Sequence, residues 1–352
     1  MAEQLRRGVP GGIGTYARGL LGGLHQLAAP DVEVIVHASR ARRTPDPLSS
    51  LGHRVDASPL PGILLTRLWD RGLARPPAGD VMHATSFAVP PSVAPRVIAV
   101  HDLAWRVVPE AFPPRGRRWH ERALRRAIAS DASLVVPSSE TGSALASAGV
   151  DGSRITVIEE GCDHLPPPDS SGADALLERL GVVNHFILTV ATLEPRKNLR
   201  RVVEAHALAR PLLPEPWPLI VVGPTGWGDG SPLAGATGVK LAGEVSAAVL
   251  AALYARARCL VYAPLVEGFG LPPVEAMHAC TPVVASPMPS TKGSGLEVDP
   301  TDVSAIADAI VRAAGDDRIR AELVTAGLLR ASELTWRRAA EAHVALWREV
   351  AQ

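Results

Sequence analysis

Two carboxylates, Glu267 and Glu275, flank the run Gly268-Phe269-Gly270-Leu271-Pro272-Pro273-Val274. The residues ahead of them, Cys259-Leu260-Val261-Tyr262, read as a short buried strand, and Pro272-Pro273 suits a first helical turn. Strand, glycine loop and helix start therefore follow in order. The backbone N–H groups of Gly268, Phe269 and Gly270 would be free to donate to hydroxyls or phosphate, and the helix dipole favours an anion there. Glu275 is expected in the first turn of that helix. Taken singly, a dipole-complementing Glu275 and a solvated Glu267 are the plainer reading. The glycines between them point instead to a site for a polyhydroxylated, anionic ligand.

A second group of cations has a similar address. Leu188-Thr189-Val190 leads through Ala191-Thr192-Leu193-Glu194 to Pro195-Arg196-Lys197-Asn198, a strand running into a proline-started helix. An adjacent guanidinium and ammonium at a helix N-terminus suit a departing diphosphate. Only three of the 36 basic residues are lysines, so Lys197 stands out against an arginine background. Gly11-Gly12-Ile13-Gly14-Thr15-Tyr16-Ala17 contains the spacing G-x-G-x-x-A, which could open a dinucleotide-binding unit. That reading needs a preceding strand and an acid at the end of the next one. Arg6-Arg7-Gly8-Val9-Pro10 precedes it and Asp31 opens the next strand, so what survives is a glycine-rich helix start facing a ligand. His101-Asp102 follows a predicted strand, as does His83, and both lie where a ligand could be met. Residues 115–126 carry Arg115, Arg117, Arg118, Arg122, Arg125 and Arg126 around Trp119, a candidate for peripheral contact with an anionic lipid surface, although an ordinary solvated helix face is the plainer reading. No metal-ligand spacing, serine elbow or Cys-His signature is present.

The elements that must position these residues follow an α/β rhythm. Apolar runs at 32–38, 81–84, 97–100, 134–136 and 155–158 predict strands separated by helices, and the pattern restarts at 186–190, 219–222, 239–241, 259–262 and 282–285. Pro166-Pro167-Pro168-Asp169-Ser170-Ser171-Gly172 between the two sets reads as an exposed connection. The 352 residues suit two domains, at 1–165 and 175–335. The tail helix at 336–352 presents Trp336, Ala340, Val344 and Trp347 on one face and is expected to pack back on the first domain. Equal numbers of basic and acidic residues, 36 of each, leave no global charge to favour nucleic acid. Three widely spaced cysteines, no signal-peptide stretch and no membrane-length apolar run predict a cytoplasmic chain, with any membrane contact peripheral at the inner face.

With these pieces together the chain resembles the retaining glycosyltransferases of family 4. The resemblance rests on Gly11-Gly12-Ile13-Gly14-Thr15-Tyr16, His101-Asp102, Gly161-Cys162-Asp163, Glu194-Pro195-Arg196-Lys197-Asn198, residues 241–245, and the Glu, seven residues, Glu pattern at Glu267 and Glu275. It implies the GT-B architecture, two Rossmann-like domains facing across a cleft. It also implies a nucleotide-diphosphate sugar as donor substrate, with no cofactor and no metal. Arg196 and Lys197 would hold the diphosphate, Glu275 the ribose, and Glu267 with Gly268, Phe269, Gly270 and Leu271 the sugar. Gly12 and Gly14 would approach the diphosphate, Gly243 and Val245 would border the base, and His101 would line the sugar near the reacting carbon. The acceptor would be a glycan, lipid-linked or small molecule, and the donor GDP-mannose or a UDP-sugar. A non-catalytic GT-B partner subunit and a sugar-nucleotide epimerase are the rival readings.

The chain departs from the family pattern in four places. Only residues 1–5 precede Arg6, so the first strand of the N-terminal domain looks clipped. Cys280 stands where glycine usually ends the helix after Glu275, which predicts an altered cap. Ala263-Pro264 replaces Pro-Ser, and residues 289–297 look abbreviated.

Overall fold

The computed structural model describes residues 1–27, 29–41, 44–226, 233 and 235–352. The chain forms two compact units, one of Met1–His164 with Leu334–Gln352 and one of Leu165–Glu333. Both are mixed α/β, and every strand pairing in both is parallel. Among the described residues no helix is long and apolar enough to cross a membrane.

The first unit contains α1 (Gly11–Leu27), β1 (Ile35–Ala38), β2 (Arg54–Ala57), α2 (Gly62–Trp69), β3 (Met82–Ala84), β4 (Arg96–Ala99), α3 (Ala104–Val107), α4 (Pro114–Ala129), β5 (Ser133–Val136), α5 (Ser139–Ser147) and β6 (Ile155–Val157). Strands β1 and β2 pair with each other, and β3-β4-β5-β6 form a separate sheet. Each predicted apolar run overlaps one of these strands. Strand β2 has no such signal, because Arg-Val-Asp-Ala offers no apolar run and none of its residues is buried. Among the described residues no strand precedes α1: the Met1 amine donates to His83 O at 2.7 Å and Ala2 N to His37 O at 3.0 Å, and Glu3–Arg6 make a short 3-10 turn. The core of the β3–β6 sheet is built from Ile98, Val100, Leu124, Leu134 and Leu145, with Trp119 packed at its edge.

The last helix, α12 (Trp336–Val350), lies against α1 in this unit. Glycine makes that approach feasible: a Cβ at Gly19 would fall 2.0 Å from the Trp336 ring, and one at Gly161 would fall 2.2 Å from its backbone nitrogen. The buried face carries Trp336, Ala340 and Val344, together with His343. Trp347 is only half-buried, and its indole N–H donates to His83 Nδ1 at 3.0 Å. That leaves the His83 Nε2–H to donate to the Tyr16 hydroxyl at 3.2 Å, and Tyr16 to donate to His343 Nε2 at 2.8 Å. His343 Nδ1–H ends the chain on Ala339 O at 2.7 Å. Every polar atom is satisfied with both imidazoles neutral. Burial lowers the pKa of both rings, that of His343 to about 4.

The second unit contains α6 (Ser170–Leu180), β7 (Ile187–Val190), α7 (Leu199–Ala209), β8 (Leu219–Val222), β9 (Val239–Gly243), α8 (Ala247–Arg256), β10 (Cys259–Tyr262), α9 (Leu271–His278), β11 (Val283–Ala285), β12 (Leu296–Glu297), α10 (Val303–Gly315) and α11 (Asp317–Glu333). Its six strands run in the order β12-β11-β10-β7-β8-β9. Counted from β7, this is the dinucleotide-fold order 3-2-1-4-5-6. The exposed connection ends earlier than expected, because Asp169 accepts from Gly172 N at 2.9 Å and caps α6 from Ser170 onward. The two-residue β12 carries too little pattern to be seen in the sequence.

The expectation of an altered cap after α9 is corrected. Cys280 takes the left-handed conformation itself, at φ 60°. Its N–H reaches Met277 O at 3.1 Å, and Thr281 N reaches Ala276 O at 2.9 Å, the paired bonds of a Schellman motif. The two hydrogen bonds hold a non-glycine residue in a region that costs it roughly 1 kcal/mol. Cys280→Gly is therefore expected to stabilise the protein by up to about 1 kcal/mol, measured as a rise in the urea midpoint. A midpoint at or below that of the parent would mean that the cap is unstrained.

Candidate functional site

In the second unit the strand order reverses between β7 and β10, which are hydrogen-bonded neighbours. Open parallel sheets bind ligands beyond the carboxyl ends of strands at such a reversal. The segment carrying Arg196 and Lys197 leaves β7, and the segment carrying Glu267 leaves β10. They are tied together: Leu265 N donates to Arg196 O at 3.0 Å. Asn198 Nδ2 reaches Ala263 O at 2.9 Å and Pro300 O at 2.7 Å. Asn198 sits at φ 57°, a left-handed conformation that asparagine tolerates better than most residues, and so ends the Pro195–Lys197 turn and starts α7.

The structure brings Arg196, Lys197 and Glu267 into one cluster. Arg196 Nη1 donates to Glu267 Oε1 and to Val266 O, each at 3.2 Å, while Nη2 donates to Glu194 Oε1 at 2.8 Å. Lys197 Nζ donates to Glu267 Oε2 and, at 2.7 Å, to the Tyr262 hydroxyl. Tyr262 in turn donates to Glu267 Oε2 at 2.7 Å. All four charged side chains are at most 14% exposed. Burial alone would raise the Glu267 pKa, but Lys197 and Arg196 outweigh it and hold the carboxyl well below the usual range. Its contribution to stability is therefore complete at neutral pH and is lost only in strong acid. Burial and the Glu267 charge push the Tyr262 phenol well above its ordinary value, so the phenol keeps its proton to donate.

Glu275 lies one turn deeper than expected. Gly270 caps α9 and Leu271, Pro272 and Pro273 fill its first turn, so Glu275 belongs to the second turn and does not complement the dipole at the helix start. It is buried, and the Tyr254 hydroxyl of α8 donates to its Oε2 at 2.8 Å. Gly270 is required by the fold: its φ is 96°, and a Cβ would fall 2.4 Å from Met288 Sδ. Phe269 and Leu271 are buried. Gly243 closes β9 at φ 71° and accepts from Gly223 N at 2.9 Å, with Val245 two residues beyond at the carboxyl side of the sheet.

In the first unit, Gly12 and Gly14 fall within the first turn of α1 and not in a loop ahead of it. Gly14 is buried, and a Cβ there would fall 2.3 Å from Pro10 Cβ, so packing explains it. Gly12 is exposed and a Cβ there meets nothing, which leaves room for close approach by a ligand. His101 follows β4, with Nδ1 at 3.2 Å from Glu160 Oε1 and Nε2 at 3.0 Å from Thr85 O. The basic residues between 115 and 126 lie on α4, whose Ala123, Leu124 and Ala127 face the core. Arg115, Arg118, Arg122, Arg125 and Arg126 are exposed, and Arg126 and Trp119 are tied to Asp70. Among the described residues no three His, Cys, Asp or Glu side chains converge as a metal site requires.

Glu160, Glu194, Tyr254 and Tyr262 have no assigned role in the sequence reading. Glu160 adjoins the Gly161-Cys162-Asp163 motif and Glu194 opens its own, both just beyond strands, and that address is the signal that could have found their roles. Tyr254 gives none, since its partner lies 21 residues away on another helix.

The model of the Glycosyltransferase Family 4 matches residues 10–164, and the Glycosyl transferases group 1 model matches residues 184–316. The O-antigen chain mannosyltransferase B of Escherichia coli is 30% identical over 269 residues, 73% of this chain and 71% of that protein. Among solved structures, Anabaena HepE in complex with UDP and glucose superposes with a TM-score of 0.73 at 19% identity, over 98% of each chain. Sucrose-phosphate synthase from Thermosynechococcus elongatus gives 0.71 at 20% identity, over 97% of this chain and 94% of the other.

The balanced cluster makes a distinctive expectation for Glu267→Gln. Removing one charge from a buried pair typically costs about 3 to 5 kcal/mol, so the variant should melt well below the parent. Added inorganic pyrophosphate should then recover more of the melting temperature in the variant than in the parent, because the anion replaces the missing charge. Equal responses to pyrophosphate would show that the cations are not what the anion meets.

Proposed function

Because the chain belongs to the family 4 glycosyltransferases, we propose that it transfers a mannosyl residue from a nucleotide-diphosphate donor to a glycan or lipid-linked acceptor, retaining the anomeric configuration. GDP-mannose is the first donor to test and a UDP-sugar the second. The observation that carries the reading is the pairing of Arg196 and Lys197 with Glu267 beside the glycine loop, at the reversal of the second sheet. Support for mannose comes from the O-antigen chain mannosyltransferase of Escherichia coli, and support for a nucleotide sugar from the UDP and glucose of the Anabaena structure.

In this reading the diphosphate takes over the Arg196 and Lys197 donors that Glu267 holds in the free protein. Glu267, released in part, turns to the sugar hydroxyls with the N–H groups of the Gly268 to Gly270 loop. Glu275, its carboxylate oriented by Tyr254, accepts from the ribose hydroxyls. The C1–O bond of the donor breaks with its electron pair remaining on the phosphate oxygen, and the acceptor oxygen forms the new glycosidic bond. The acceptor proton passes to the departing phosphate. The charge that develops there is met by fixed donors, the term that usually dominates such catalysis. No metal ion is assigned a role. The exposed arginines of α4 offer a cationic face to an anionic lipid-linked acceptor.

A thermal-shift panel of nucleotide sugars tests the donor, since a ligand that binds the folded state raises its melting temperature by mass action. Donor binding without turnover on any acceptor would favour the non-catalytic partner. Arg196→Ala and Lys197→Ala should each lower kcat/KM by the equivalent of about 2 to 4 kcal/mol. Turnover within twofold of the parent for either variant would remove that residue from the mechanism.

A further inference from the structure

Among the described residues His101 is held by two oxygens and by no donor. Its Nδ1 faces the Glu160 carboxylate at 3.2 Å and its Nε2 faces the Thr85 carbonyl at 3.0 Å. A neutral imidazole has one N–H and one lone pair, so either neutral tautomer would set its lone pair against an acceptor. Only the doubly protonated ring satisfies both. The pair is largely out of water, with the His101 side chain 21% exposed and that of Glu160 6%.

The surroundings support the charge. Asp102 adjoins the ring in sequence beyond β4, and Glu160 approaches from beyond β6. From α1, Tyr16 packs edge-on at 4.8 Å between ring centroids, and burial raises its pKa, so it stays neutral. His83 on β3 is neutral by its own hydrogen bonds, and the Met1 amine, which donates to His83 O, is lowered to about 5 by burial. No second fixed cation therefore competes among these neighbours.

We propose that Glu160 is a positioning residue that keeps His101 doubly protonated through the neutral range, so that His101 serves the reaction as a fixed cation and not as a base. Burial alone would lower the His101 pKa, but the hydrogen bond and charge of Glu160 raise it above the ordinary value. With both N–H groups committed to the protein, His101 has no lone pair for an acceptor proton. Its work is electrostatic, and this part of the inference rests on the transferase reading.

Histidine side-chain 15N NMR of the full chain tests the protonation without reference to activity. In the parent both His101 ring nitrogens should carry protons across about pH 6 to 8. Glu160→Gln should lose one of them within that window, and Glu160→Asp should keep both. In the transfer assay, kcat of Glu160→Gln should fall about tenfold or more as pH rises through the window, with donor KM little changed. The same substitution made on a His101→Gln background should add no pH dependence. A Glu160→Gln variant that melts lower yet keeps the parent's proton count and pH profile would overturn the proposal and leave Glu160 structural. If the parent transfers no sugar with any donor, the proposed function fails, while the NMR result still decides the state of His101.

Discussion

Four charges held largely out of water, Glu194, Arg196, Lys197 and Glu267, set the terms for the rest of the second unit. Burying any one alone would cost several kcal/mol, so each must meet its counterion with good geometry. That requirement explains why the loops after β7 and β10 are so firmly tied. Asn198 spends its side-chain amide on two carbonyls of other segments, and Leu265 donates its backbone N–H to Arg196. The parallel sheet supplies the platform, because a reversal of strand order leaves a crevice beyond the carboxyl ends of the neighbouring strands. A cluster that is neutral and largely dry when free can receive an anion by exchanging partners. Its donors are already in place, so little reorganisation remains for the moment of reaction.

The first unit treats its histidines in two opposite ways. His83 and His343 belong to a chain running from the Trp347 indole N–H to the Ala339 carbonyl, in which His83, Tyr16 and His343 each donate one bond and accept one. Such a chain is satisfied only when the rings are neutral, and it pins α12 to α1 and β3 by directional bonds beneath apolar packing. His101 faces acceptors on both sides. The same residue type becomes either a neutral strut or a cation according to the groups that surround it, and the hydrogen-bond pattern records which.

Much of the α/β framework was legible because apolar runs of four residues bounded by glycine, proline or charge have few other uses. Strand β10 coincides with its predicted run from Cys259 to Tyr262, and Leu219–Val222 does the same for β8. The pattern failed where burial is partial or the element is very short, as in β2 and β12. It also failed at a helix end, where two Schellman bonds hold Cys280 in a conformation that its own preference opposes. In the site, motif order gave the address of Arg196, Lys197 and Glu267. It could not give the Tyr262 and Glu194 bonds that balance them, or the Tyr254 bond to Glu275. Tyr254 and Glu275 lie on different helices, and the Glu194–Arg196 and Tyr262–Glu267 bonds, though local in sequence, depend on loop conformations that no period encodes.

The glycines of the two motifs separate on physical grounds. Gly270 needs its positive φ and the space beside Met288, and Gly14 needs its space beside Pro10, so the fold alone accounts for both. Gly12 lies exposed in a helical turn with nothing within 4 Å of where a Cβ would stand. Glycine is a poorer helix former than alanine, and the space beside Gly12 would admit a side chain. A smooth, side-chain-free patch of backbone at a helix N-terminus has a physical use when something anionic must come close to it, because N–H groups and the positive end of the dipole meet it there. The glycine signature at the start of the chain thus divides into one residue that the packing of the fold requires and one beside which the folded unit leaves open space.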